Sequence, residues 1–480
     1  MSFTTGLIYA LVRAALIGVG AVAMGRCITR LLRPPVAESG PSRFIPFFLA
    51  AIFFMPTVIV GYAYSDGPWS LVRHPWLNDL LYSTLLLLKL LPIAVAALYF
   101  APPPSIDAAA CHLRRLAPPS STMAAQRIRQ AWRFFLHGPL RAITLAFVAV
   151  FLLAFTDFEL ASLLNSLAGR EHSAFTWTIA LHQAQQLNVQ STTLVAWAAS
   201  AAAIEAIVII IGLTMLLRAR RGRIGQHHPQ TSAGKRPRVI GWITLAFAAI
   251  AILLLPGWII LRGSVEGVAS LLANFRFADE LASSLYFACG ATALVVAALM
   301  FLPRSLRWVI ALPGLLGGIV LSMLILLAFQ WPVLRELYHT PVPLVLGLTL
   351  LLLPVAVVLR GLFDAAEPGT SVHAARMLYE RGDAAQHRAG RSLLWHLRGR
   401  PWLALAAIVF TLAYFELVVS VTLAPVGMSP AIVELYNQMH FGQRAVLSAT
   451  VMLTMAVPVV IVVAMWGFLR VGLAEPRPDR

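Results

Sequence analysis

The sequence predicts an all-α fold, a polytopic membrane helix bundle of about eleven spans, on three observations. First, 59% of the 480 residues are hydrophobic, only 12% are charged, and the mean hydropathy is +0.79. A water-soluble domain needs about a quarter of its residues charged to cover its surface. Second, apolar runs of about 20 residues recur, the length of helix that crosses a hydrocarbon core of roughly 30 Å. Third, Lys and Arg concentrate in alternate connections between those runs, which is how the positive-inside rule records topology.

The spans are read at 5–25, 43–65, 79–101, 141–163, 191–217, 239–261, 282–303, 308–330, 341–363, 402–424 and 446–469. The runs are continuous and not alternating, which specifies helices and not barrel strands. Pro56, Pro92, Pro313, Pro354 and Pro458 fall inside spans, where proline is tolerated and marks a kink. Most of the 37 Lys and Arg lie in 26–43, 102–141, 218–238, 304–307, 364–401 and the C-terminal tail. The opposite connections hold only Arg73, Arg170, Arg262, Arg276, Arg335 and Arg444. The first set is therefore expected in the cytoplasm, with the N terminus outside and the C terminus inside.

This topology absorbs the net charge of +17: membrane lipid is an expected partner and nucleic acid is not. Only Lys89 and Lys235 are lysines, a bias that points to a GC-rich bacterial genome and so to a bacterial inner membrane. No basic residue precedes the first apolar run, which continues to Gly25; it reads as a retained span and not a cleaved signal. Cys27, Cys111 and Cys289 are scattered, without metal-ligand or redox spacing. His227-His228 has no further ligand nearby in sequence, so neither metal nor cofactor is expected.

The polar, basic segment 218–238 divides the chain near its middle and separates a first unit, 1–217, from a second, 239–480. The two share an order of elements. A basic loop of about 40 residues precedes an apolar span in each, and the spans close on Phe158-Glu159-Leu160 and Phe415-Glu416-Leu417. A Gln-containing, helix-like external segment follows (Ile179 onward, Val433 onward), and then a last span returning to a basic end. With both loops on one side, the halves are expected to be parallel repeats, five spans in the first and six in the second, 239–261 having no counterpart.

The loops carry Ser105-Ile106-Asp107-Ala108-Ala109 and Ser371-Val372-His373-Ala374-Ala375, the second running on to Tyr379-Glu380-Arg381-Gly382. Here the chain resembles the fused permeases of binding-protein-dependent ABC importers of the iron(III), thiamine and polyamine type. In that family each unit has a cytoplasmic Glu-Ala-Ala loop, with a Gly four residues on and a Pro where the next span begins. Asp107 and His373 stand at the Glu positions. Leu113 and Tyr379 stand at the Gly positions, with Gly382 three residues later, and Pro139 and Pro401 lie near the Pro positions. Asp157-Phe158 is similar to the family's acidic-Phe pair.

The resemblance implies that Asp107, Ala108, Ala109, His373, Ala374, Ala375 and Gly382 belong to loops docking two ATP-binding subunits. It further implies that a periplasmic solute-binding protein delivers solute to 164–190 and 425–445. The chain has no Gly-x-x-x-x-Gly-Lys-Ser/Thr; Ala233-Gly234-Lys235-Arg236 lacks the first Gly and the hydroxyl. ATP hydrolysis is therefore assigned to a separate subunit, and the chain itself is not expected to be an enzyme.

Ionisable residues within spans are costly and default to functional candidates. Asp157, Glu159, Glu205 and Glu416 are read as pathway candidates, with Arg13 and Lys89 as further intramembrane charges. The glutamates either line a solute path or pair structurally with Arg13 or Lys89. The alternative function is an ion-coupled secondary transporter, or a divergent permease-like protein without ordinary ATPase coupling.

Overall fold

The computed structural model describes residues 3–32, 44–65, 74–100, 140–167, 174–187, 189–219, 235–272, 276–366, 369–381, 383–441 and 444–471. Among these residues the secondary structure is helix joined by turns, with no strand. Among the described residues seven helices are long and apolar enough to cross a membrane, or up to nine if each of two sharply bent pairs counts as one span. The expected span at 402–424 lies on two consecutive shorter helices, and that at 446–469 on a helix whose apolar stretch is Val446–Ile461. The chain divides into two compact units, Met1–Trp258 and Ile259–Arg480. The helix beginning at Lys235 thus contributes its first part to the first unit, although the linker precedes it.

In the first unit α1 (Phe3–Leu32), α4 (Pro75–Phe100) and α5 (Leu140–Phe155) pack against one another. The reason is a stripe of small residues on α1: Ala10, Ala14, Gly18, Ala21 and Gly25 are all buried. Small side chains let helices approach closely where water supplies no driving force. A Cβ on Gly25 would lie 3.3 Å from that of Ala94, and one on Gly18 would meet the Phe147 ring at 2.9 Å. Next to this trio, α2 (Phe44–Phe54) and α3 (Thr57–Ser65) form a pair bent by 80°, and α5 continues into α6 (Glu159–Leu167) across a 44° bend. Helix α3 packs on α6 and α2 on α4. Helix α7 (Trp177–Gln186) packs on α1 and on α8 (Ser191–Ala219), which lies along α5.

The span after the linker runs through α9 (Lys235–Ala249), a π turn at Ile250–Leu254, and α10 (Leu255–Leu272). Helix α9 packs on α1 and α2, and the π turn on α2 and α4. The Tyr64 hydroxyl donates to the Ala251 carbonyl at 2.9 Å.

In the second unit α11 (Arg276–Phe301), α14 (Val342–Ala366) and α17 (Arg400–Tyr414) pack mutually. They surround a core that includes Phe287, Val295, Leu348, Leu352, Val409 and Phe410. Helix α12 (Arg304–Ala311) lies on α14 and leads through a 3-10 turn, Pro313–Leu316, into α13 (Gly317–Phe329). Helix α17 breaks into α18 (Val418–Leu423), which packs on α13 and α14. Helix α19 (Ala431–Phe441) packs on α11 and on α20 (Arg444–Val471), which lies along α17. Between α14 and α17 stands a hairpin of α15 (Gly369–Arg381) and α16 (Ala384–Leu394), the latter joined to α17 by a π turn at Trp395–Gly399.

Candidate functional site

The chemistry-bearing residues gather where the bent helices meet. In the first unit the α2–α3 bend sits at Met55-Pro56. Proline has no N–H, so the carbonyl four residues before it loses its helical partner. Lys89 of α4 replaces that partner: its Nζ donates to the carbonyls of Ile52 (2.9 Å), Phe53 (2.7 Å) and Met55. The carboxylate of Glu159, first residue of α6, interacts electrostatically with the same ammonium.

The α5–α6 bend, at Thr156-Asp157-Phe158, is pinned from three sides. Asp157 accepts from the Ala161 amide (3.2 Å), capping α6, and from the Tyr82 hydroxyl (3.0 Å). A carboxylate is favoured there because the first turn of a helix exposes unpaired amides and a positive dipole end. Trp177 Nε1 donates to the Phe155 carbonyl at 2.8 Å, and the Thr178 hydroxyl to that of Asp157 at 2.9 Å. Arg13 lies with its guanidinium 4.9 Å above the Tyr82 ring, donating to Asp79 (3.1 Å) and to the Phe175 carbonyl (3.2 Å). Asp79 in turn accepts the Ala174 amide at 2.7 Å. On α7 the His182 ring stands 5.1 Å from that of Phe158, and burial pushes its pKa down.

The second unit bends at matching positions with different chemistry. Its α12–α13 break is made by Pro313 and by Gly317, whose φ of 75° favours glycine. A Cβ on Gly314 would overlap the Leu350 carbonyl of α14. The α17–α18 break is Phe415-Glu416-Leu417, where Glu416 accepts the Val419 amide at 3.3 and 3.4 Å. One Glu416 carboxylate oxygen lies 3.1 Å from the position a Cβ on Gly318 would take.

Pro56 and Pro313, Gly61 and Gly318, and Glu159 and Glu416 stand at one constant offset along the chain. That regularity was available to sequence reading and marks both breaks. At the same offset Asp157 is matched by Tyr414, whose hydroxyl is buried with no hydrogen-bond partner among the described residues. On the neighbouring helices, Lys89-Leu90-Leu91-Pro92-Ile93-Ala94-Val95 runs parallel to Leu351-Leu352-Leu353-Pro354-Val355-Ala356-Val357. Lys89 thereby corresponds to Leu351.

Of the residues singled out in the sequence, Asp157 and Glu159 come together at the first pair of breaks, and Glu416 lies at the second. Arg13 pairs with Asp79, an acid the sequence reading did not single out. Glu205 is fully buried on α8, and neither carboxylate oxygen has a hydrogen-bond partner among the described residues. Asp107, Ala108, Ala109 and Gly382 lie outside the described residues. On α15, His373 and Ala374 are exposed, whereas Ala375 is fully buried. The cause is Gly390 of α16: a Cβ there would lie 2.9 Å from the Ala375 carbonyl and 2.5 Å from the Tyr379 amide, so the two helices touch backbone to backbone. Asp383 caps α16 by accepting the Ala385 and Gln386 amides at 3.1 and 2.8 Å. His387 stacks on Tyr379, ring centroids 4.3 Å apart. Among the described residues no three His, Cys, Asp or Glu side chains group to hold a metal.

Fold and site together define a multi-pass, all-α membrane protein whose bent spans meet at buried ionisable residues. No family model matches the chain, and neither does any curated protein or solved structure.

Proposed function

We propose that the chain is the fused permease subunit of an ABC importer, carrying a small solute of the iron(III), thiamine or polyamine class with energy from separate ATP-binding subunits. The observation that carries this reading is the repeated packing order. Helices α1, α4, α5, α7 and α8 make the same pairings as α11, α14, α17, α19 and α20, and the bent pairs α2–α3 and α12–α13 fall at the same place in that order. Two copies of one packing plan in one chain fit a transporter built from repeats, and helices broken inside the membrane are where such proteins expose backbone groups to a solute.

Supporting this, the α15–α16 hairpin falls between α14 and α17, where a coupling loop of that family would be expected. Its exposed side chains, His373, Arg376, Tyr379 and Glu380, would face an ATP-binding subunit, and the loop 102–141 would serve the first unit in the same way. The bacterial inner membrane, with the N terminus outside, is the setting the Lys and Arg distribution supports.

The buried carboxylate of Glu205, which has no hydrogen-bond partner among the described residues, favours a second reading, an ion-coupled secondary transporter. Affinity purification of the tagged full chain from its native membranes separates the two. A co-purifying ATP-binding subunit, with ATP-dependent uptake after reconstitution, supports the permease. Uptake driven by a proton or sodium gradient by the chain alone overturns it.

A further inference from the structure

The chemistry at one end of the second unit is unlike the rest of that unit. Three helix termini converge there: the start of α12, the end of α14 and the start of α17. Asp364 of α14 pairs with Arg360 at 2.6 Å and with Arg304 of α12 at 3.7 Å. Arg360 also lies 4.5 Å above the Trp402 ring. Arg360 is largely enclosed, its side chain 16% exposed, whereas that of Arg304 is 78% exposed and held only loosely by the shared carboxylate. Arg307, one turn along α12, uses its Nε to close the Leu302 carbonyl at the end of α11 (2.7 Å). Two arginines therefore share one carboxylate, with a third one turn along α12, an excess of positive charge at the end of an apolar bundle.

Beside this charge the chain is bare and apolar. Met300, Phe301 and Val309 are 60%, 82% and 60% exposed. An arginine cluster bordered by exposed apolar side chains at a helix end matches a ligand with an anionic head and hydrocarbon chains. The geometry points to a binding site for one anionic phospholipid, its phosphate held by Arg304 and Arg307 and its acyl chains lying along Met300, Phe301 and Val309. Arg360, already neutralised by Asp364 and stacked on Trp402, fixes the cluster and does not serve as the ligand's main contact. Basic pockets between membrane helices recognise anionic head groups on this principle, and the Lys and Arg distribution places this one in the cytoplasmic leaflet.

The experiment is native mass spectrometry of the purified full chain titrated with phosphatidylglycerol, and separately with phosphatidylcholine, for the wild type, R304A/R307A and R335A. Arg335 lies on the turn at Arg335–Leu337 between α13 and α14, away from the cluster in sequence, and controls for charge alone. The double variant is expected to lose about five-fold in phosphatidylglycerol affinity per arginine removed, with phosphatidylcholine binding unchanged and R335A like wild type. Retained phosphatidylglycerol affinity in the double variant overturns the site, and so does an equal loss in R335A. R304A alone, which keeps the Arg307 bond to Leu302 and is expected to unfold like wild type in a zwitterionic detergent, shows by its own fall in phosphatidylglycerol affinity that a loss is of binding and not of fold.

Discussion

The two pairs of helix breaks solve one problem by different means. Where a helix bends inside a membrane, the carbonyls and amides it frees must find partners, because lipid offers none. In the first unit charge does this. Lys89 closes three carbonyls of the α2–α3 bend, Asp157 caps α6, and Tyr82 and Arg13 tie the set to α4 and α1. In the second unit the residue matching Lys89 is Leu351 and that matching Asp157 is Tyr414, and the break is brought directly against α14 at Gly314. Of the ionisable groups at the breaks, only the acid of the Phe-Glu-Leu segment is common to both. The same bend can therefore be held by a long cation reaching across a gap or by a glycine that removes the gap. The first arrangement depends on burying charge, and the second on the absence of a single methyl group.

This contrast predicts a ranking of substitutions. Lys89→Met is expected to be the most damaging, since it strips three carbonyls of the α2–α3 bend of their donor. Each carbonyl left unmet inside the bundle costs about 1–3 kcal/mol, which thermal unfolding in detergent will register as the largest fall of the series. If Lys89→Met unfolds like wild type, charge does not hold the first bend.

Asp157→Ala should follow. It removes a helix cap and leaves the buried Tyr82 hydroxyl unpaired, about 1–3 kcal/mol for the unmet group, and Asp157→Asn should recover part of the loss by keeping an acceptor. Glu416→Ala, at the second break, is expected to cost only about 1 kcal/mol as a lost cap. An effect equal to that of Lys89→Met would erase the distinction between the units.

The smallest effect concerns pH. Burial lowers the His182 pKa in the folded chain, so below about 6.5, the ordinary histidine value, the unfolded chain takes up a proton more readily than the folded one. The stability tied to a neutral His182 is complete above that pH and declines as pH falls toward the lowered folded-state value. His182→Gln should flatten the stability profile over that interval, and an unchanged slope would place the dependence elsewhere.

The all-α architecture of long apolar helices was legible in composition and hydropathy because hydrocarbon thickness acts on whole segments. The Phe-Glu-Leu recurrence, read as the close of a span, falls at the second bend of each unit. The 80° bend between α2 and α3 was not legible from hydropathy, since 43–65 reads as one apolar run, although Pro56 marked a kink within it. The recurrence of Pro56 and Gly61 as Pro313 and Gly318 was the signal that went unused. Lys89 stood out as an intramembrane charge, but its role depends on where α2 ends, and a residue's own sequence neighbourhood does not contain that. Ala375 illustrates the same limit. Its burial is set by Gly390, far along the chain, so the Ala-Ala pair could not show which of its members faces outward.

The hydrogen bond from Tyr64 to Ala251 has a consequence for biogenesis. Tyr64 emerges from the ribosome long before the residue it bonds, with the whole linker between them. The close seat of Gly241 against the Cys27 carbonyl, which a Cβ would approach to 2.8 Å, likewise waits for α9. The first unit is therefore left open on that side until the chain has passed its own midpoint, and α9 enters as a late staple. A gene split at the linker would yield an N-terminal fragment missing part of its own wall and a C-terminal fragment carrying it. The two products would need to find each other in the membrane before the first unit was whole.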